Sequence, residues 1–215
     1  GLDDLDAYVE SVRTTFQVPG IAVAVVDDGR IVLERGWGVR AVGGPAVDGD
    51  TLFAIASNTK AFTAASLYLL AEEGKLSLDD RVIDHLPWFR MADATVSREL
   101  RLRDLLAHRS GLSLGAGDLL YWPTTDYTTR DVAERLARVP LKGGFRDRYA
   151  YDNILFAVAQ LVIEQASGQA YADFLQQRFF TPLGMTSTRY NSDALRPGDP
   201  AATGYALADG KTLEP

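Results

Sequence analysis

Residues 52–74 read LFAIASNTKAFTAASLYLLAEEG. From Lys60 to Glu73 the segment is apolar on nearly every helical face, and Gly74 stands where a left-handed cap is needed. A helix of this kind is expected at the centre of a domain. Ser57-Asn58-Thr59-Lys60 lies where a loop enters that helix. A serine there holds its hydroxyl at the positive end of the helix dipole. Lys60 follows three residues later, on the same face, one turn on. A neutral lysine amine can accept the serine proton if burial or nearby cations lower its pKa. The competing reading is a helix-capping serine beside a solvated lysine. The apolar flanks argue against a freely solvated Lys60.

Upstream, Leu5, Tyr8, Val9, Val12 and Phe16 recur at helical spacing over 2–16, and Pro19-Gly20 ends that helix. IAVAVV (21–26) and IVLERGWGV (31–39) flank Asp28-Gly29, which predicts a β-hairpin. Downstream, the pattern predicts helices at 79–85, at 102–108, after a Thr128-x-x-Asp131 capping box, at 152–167 with Gly168 as cap, and at 170–180 before Pro182. Regularity fades after Met185, and Asp209-Gly210 suits the turn of one further short hairpin. The blocks are a helix and hairpin over 1–50, a helical region over 51–188 and an irregular stretch over 189–215. The predicted class is α+β, with an antiparallel sheet represented by its N-terminal hairpin and a large helical region. A lone hairpin is marginal in water, so it needs a helix cover or further strands.

Composition removes several function classes. Twenty-two basic residues against 29 acidic give a net charge of −7, with no basic stripe, so a nucleic-acid partner is not expected. The chain has no cysteine, which excludes disulfides, thiolate metal sites and a cysteine nucleophile. Its two histidines, His85 and His108, stand far apart, and no metal or organic cofactor is implied. No apolar run approaches the roughly 18 residues that span a bilayer. GLDDLDAYVE lacks the charged and apolar regions of a signal peptide. The compartment stays unassigned, periplasmic or secreted as readily as cytoplasmic.

Ninety-four residues after Ser57 comes Tyr151-Asp152-Asn153, heading the 152–167 helix. A tyrosine phenol acts as a base or relay when a cation lowers its pKa. Asn153 offers a donor and an acceptor, enough to orient both Lys60 and a substrate amide. Asp152 reads equally well as a helix cap, and Tyr151 as an aromatic packed at a helix start. His108 reads as a buried residue bonded to backbone. Tyr121, Trp122 and Tyr127 read either as cleft lining or as loop packing.

Ser57-x-x-Lys60 followed by Tyr151-x-Asn153 resembles the serine β-lactamase and penicillin-binding-protein-like family, in particular its class C β-lactamase, esterase and D-amino-acid peptidase branch. Leu105-Leu106-Ala107-His108-Arg109-Ser110-Gly111-Leu112, Leu86-Pro87-Trp88-Phe89 and Pro182-Leu183-Gly184-Met185 with Thr188 are similar to segments of that branch. The resemblance covers about residues 2–205. It implies a serine hydrolase working through an acyl-enzyme on a small ester, amide or β-lactam. Ser57 would be the nucleophile, Lys60 and Tyr151 the shared base, and Asn153 the orienting group. The Ser57 N–H would be one oxyanion donor.

The family's third motif, Lys-Thr-Gly or His-x-Gly on a late strand, is not found. Lys211-Thr212-Leu213 matches two letters but has Leu213 for the glycine, and reads as a coincidence inside a surface turn. The expectation is therefore an N-terminal portion of one such domain. Its C-terminal strands would lie on a companion chain or be lost. A companion would pack on the 21–39 hairpin by strand addition. Two alternatives stay open: a non-catalytic binding or scaffold relative, and a fragment inactive without its C-terminal part.

Overall fold

A computed structural model describes residues 4–123, 125–208 and 212–215. The chain forms two compact units, one of residues 1–55 with 186–215 and one of residues 56–185.

In the first unit, helix α1 (Leu5–Thr15) precedes strands β1 (Gly20–Asp27) and β2 (Arg30–Gly38). The two strands pair antiparallel from Gly20↔Gly38 to Asp27↔Arg30, with a bulge at Val25/Val26. Gly29, at φ 72°, follows Asp28 through the expected turn. Asp6 of α1 accepts hydrogen bonds from Arg35 and Trp37, which hold the helix on the hairpin. Leu52 pairs its backbone with Pro200 and Ala202, so the later segment closes onto the earlier one. Strands β3 (Ala206–Ala208) and β4 (Thr212–Glu214) form a second antiparallel pair. The turn expected at Asp209-Gly210, like Lys211, lies outside the described residues. Thr212 and Leu213 belong to a strand and not to the surface turn predicted for them, because their backbone pairs with Ala208 and Leu207. Among the described residues of this unit only Val9 and Val47 are buried apolar side chains.

The second unit holds the continuous apolar core. Helix α2 (Thr59–Glu72) is followed by the short helices α3 (Val82–His85), α4 (Ala94–Glu99) and α5 (Leu102–Ala107), then α6 (Thr129–Arg135), α7 (Ile154–Ser167) and α8 (Tyr171–Leu175). The Thr128–Asp131 capping box forms as expected, with each side chain bonded to the other's backbone N–H. Residues 79–81 do not join α3, because Ser77 and Asp80 close their own turn and Arg81 bridges to Arg101. The predicted 170–180 helix widens after Leu175 into a π-helical turn, Gln176–Phe180. The central helix is α7 and not α2. Six of its side chains, Ile154, Leu155, Val158, Ala159, Val162 and Ile163, are fully buried, and α2, α3, α5, α6 and α8 all pack on it. Helix α2 leaves Ala61, Tyr68 and Glu72 open, so its apolar surface is only partly covered. Among the described residues no helix is long and apolar enough to cross a membrane.

Candidate active site

Ser57 sits in a single 3-10 turn, Ala56–Asn58, that runs directly into α2. Ala56 before it has φ 44°, a left-handed conformation rare for a residue with a Cβ. The sharp turn leaves Ser57 exposed at the helix start. Lys60, in the first turn of α2, donates from Nζ to Ser57 Oγ at 3.0 Å. Tyr151 Oη lies 2.6 Å from the same oxygen. Lys60 Nζ also donates to Asn153 Oδ1 at 2.6 Å. The four residues singled out in the sequence thus meet in one hydrogen-bonded set. Lys60 Nζ stands 4.8 Å from the Tyr151 ring centre and 5.2 Å from that of Phe156, within cation–π range of both.

A strip of backbone bonds carries Tyr151 to this place. The Gly111 carbonyl accepts from Lys142 and Gly143, the Arg109 carbonyl from Arg146, and the His108 carbonyl from Ala150. His108 Nδ1 then accepts the Asp152 N–H at 3.2 Å. The segment 108–111 therefore lines up residues 142–152, and His108 itself is left-handed at φ 54° where α5 ends. Arg146 clamps the arrangement with a two-pronged bond to Asp104 of α5. His108 bonds to backbone, as expected of it. Its ring lies 4.5 Å from Tyr151 and 5.3 Å from Phe156, centre to centre, and so backs the Tyr151 ring.

The electrostatics follow from these contacts. The Lys60 ammonium, then the Ser57 hydroxyl, hold the Tyr151 phenol below its ordinary range, opposed by desolvation and, less, by the Asp118 charge. Burial, then the Lys60 charge, pushes the His108 imidazole toward its neutral form. Asp152 is fully buried, and burial raises its carboxyl to about 6. One of its oxygens accepts the Leu155 N–H at 3.2 Å, in the manner of a cap, and the other has no hydrogen-bond partner.

Two further residues join the site. Asp118 accepts from Asn153 Nδ2 at 3.1 Å and from the Tyr121 hydroxyl at 3.0 Å. Burial, then that bond, drives the Tyr121 phenol upward in pKa. Of the three loop aromatics only Tyr121 reaches the set. Tyr127 packs under the Arg135 guanidinium at 3.7 Å, and Trp122 is 73% exposed. Among the described residues no three histidine, aspartate or glutamate side chains gather as a metal site.

The beta-lactamase family model matches residues 5–215. The chain belongs to the beta-lactamase family. This family member is 35% identical to penicillin-binding protein 4 of Amycolatopsis lactamdurans over 195 residues, covering 87% of this chain and 49% of that protein. Its fold matches the octameric penicillin-binding protein homologue from Pyrococcus abyssi with a TM-score of 0.84 and 26% identity, over 100% of this chain and 50% of that one. The D-amino acid amidase from Ochrobactrum anthropi SV3, solved with L-phenylalanine amide, matches with a TM-score of 0.80 and 26% identity, over 96% of this chain and 59% of that one. The chain spans 38–49% of the length of the curated relatives it matches.

Proposed function

We propose that this chain carries the nucleophile half of a serine hydrolase that works through an acyl-enzyme. The observation that supports it most is the single set of contacts joining Ser57 Oγ to Lys60 Nζ and to Tyr151 Oη. Ser57 Oγ attacks the carbonyl carbon of a small ester, amide or β-lactam, and its proton passes to the Lys60–Tyr151 pair, onto the Tyr151 phenolate held beside the Lys60 ammonium. The tetrahedral oxygen is stabilised by the Ser57 N–H. The leaving group departs with a proton returned by the same pair. Water, deprotonated there in turn, attacks the ester carbonyl and releases the acid. Asn153 holds Lys60 and offers its amide to the substrate. Small esters and amides are ranked over β-lactams, a ranking the similarity to an amidase supports.

A companion segment is part of the proposal. The hairpin β1–β2 is a two-stranded sheet, and Val26, Ile31 and Val32 on it are more than half exposed. An edge of this kind takes up an added strand through main-chain bonds.

Intact-mass measurement with a fluorophosphonate or a reactive β-lactam tests the reading. One adduct, mapped to Ser57 and absent from Ser57→Ala, is the expected result. Unabated labelling of Ser57→Ala would remove Ser57 from the mechanism. A wild-type chain that stays unlabelled, alone and with a companion segment, would favour a non-catalytic binding or scaffold role.

A further inference from the structure

We propose that Asp118 is a positioning residue, fixing the Asn153 carboxamide with its oxygen toward Lys60. The inference rests on the acyl-enzyme reading above and deepens it.

A carboxamide presents nearly the same shape with its oxygen and nitrogen exchanged. Nothing in Asn153 itself selects the orientation that Lys60 requires. An ammonium has three donors and no acceptor, so an inverted amide would set NH2 against NH3+. Lys60 would then lose the 2.6 Å bond that holds it beside Ser57. An ionised carboxylate can only accept. With Asp118 Oδ2 at 3.1 Å on the far side of the amide, Nδ2 must face Asp118, and Oδ1 must face Lys60.

Asp118 is itself tightly seated. Its other oxygen takes the Tyr121 hydroxyl. Its turn meets the head of α7 at two further points. The Gly115 N–H donates to the Tyr151 carbonyl at 3.0 Å. Gly117, at φ 86°, lies so close to Ile154 that an added Cβ would stand 2.6 Å from Cδ1. The carboxylate therefore approaches Asn153 from a frame built on the same helix start that carries Asn153.

The test uses the full chain and the fluorophosphonate probe. Asp118→Asn, nearly isosteric, can either accept from Asn153 Nδ2 through its own oxygen or donate its NH2 to Asn153 Oδ1, and so no longer enforces one orientation. Asp118→Asn and Asp118→Ala should slow labelling of Ser57 by about 10- to 100-fold, the scale of one hydrogen bond to a charged group. In an Asn153→Ala background the Asp118→Ala change should alter the rate less than twofold, since its target is gone. Tyr121→Phe, which loosens the carboxylate, should slow labelling by a smaller factor. A readout independent of labelling is the side-chain 15N–1H pair of Asn153, assigned by its loss in Asn153→Ala. That pair should shift in Asp118→Asn while the thermal midpoint barely moves. Full labelling rates with an unmoved Asn153 amide overturn the inference, as do additive effects in the double-mutant cycle. If wild type does not label at all, the acyl-enzyme reading falls, and the amide shift alone decides the role of Asp118.

Discussion

At the residue scale, Asp152 makes the stability depend on pH. Its carboxyl titrates near 6 in the folded chain against 3.8 for an ordinary aspartate, so the native state holds the proton more tightly than the unfolded state. Stability from this group is greatest below pH 4 and is lost as pH rises from about 4 to 6. About two pH units correspond to ~3 kcal/mol. Asp152→Asn keeps the acceptor for the Leu155 N–H and removes the buried charge. Its thermal midpoint should exceed that of wild type at pH 7 and lose most of its dependence between pH 4 and 6; a melt series over that range checks both. The opposite holds for His108: its folded imidazole stays neutral below the ordinary value of 6.5, so the unfolded state takes up the proton first and the stability from this group falls as pH drops below about 6.5. Gly117→Ala should cost roughly 1–3 kcal/mol in chemical denaturation, through its positive φ and the crowding against Ile154. Tyr151→Phe removes the phenol oxygen and keeps the ring against His108. Its acylation rate should therefore fall at least tenfold with little change in the thermal midpoint. For wild type the same rate should rise with pH to a midpoint below 10, because Lys60 and Ser57 favour the Tyr151 phenolate.

At the scale of elements, helix α7 organises the second unit. Leu155→Ala should cost about 2–5 kcal/mol, because the side chain is fully buried where several helices meet. Losing the α6 cap in Thr128→Ala should cost only about 1 kcal/mol. Comparing the two midpoints in urea separates core from cap. The hairpin, the α6 capping box and α7 with its Gly168 end were legible in the sequence, since period and cap chemistry are local. The centrality of α7 over α2 was not. Both helices read as apolar, and only packing decides which face stays open, as Tyr68 on α2 does. The meeting of Ser57, Lys60, Tyr151 and Asn153 was legible through motif and family resemblance. Asp118 was not, because a lone aspartate between glycines and leucines has no spacing that distinguishes it from a surface turn. The short α3 was overread, since the Ser77–Asp80 turn imitates a helix start in composition.

For the whole molecule, burial is divided very unevenly. The continuous core lies in residues 56–185, whereas the unit holding the hairpin buries only Val9 and Val47 among its described apolar residues. Hydrogen exchange should show this directly. Amides of α7 should exchange only through global opening, and those of β1 and β2 orders of magnitude faster. A companion segment that adds a strand should slow exchange in β1 or β2, and unchanged rates on its addition would argue against that partner. The way His108 ties the end of α5 to residues 150 and 152 has a temporal consequence. Ser57 and Tyr151 are separated by 94 residues of chain, so no local fluctuation brings them together. Reactivity must switch on late during refolding, once α5 and α7 have docked. Quenched-flow capture by an acylating reagent would then serve as a stopwatch for the last step of assembly, lagging behind the recovery of helical circular dichroism.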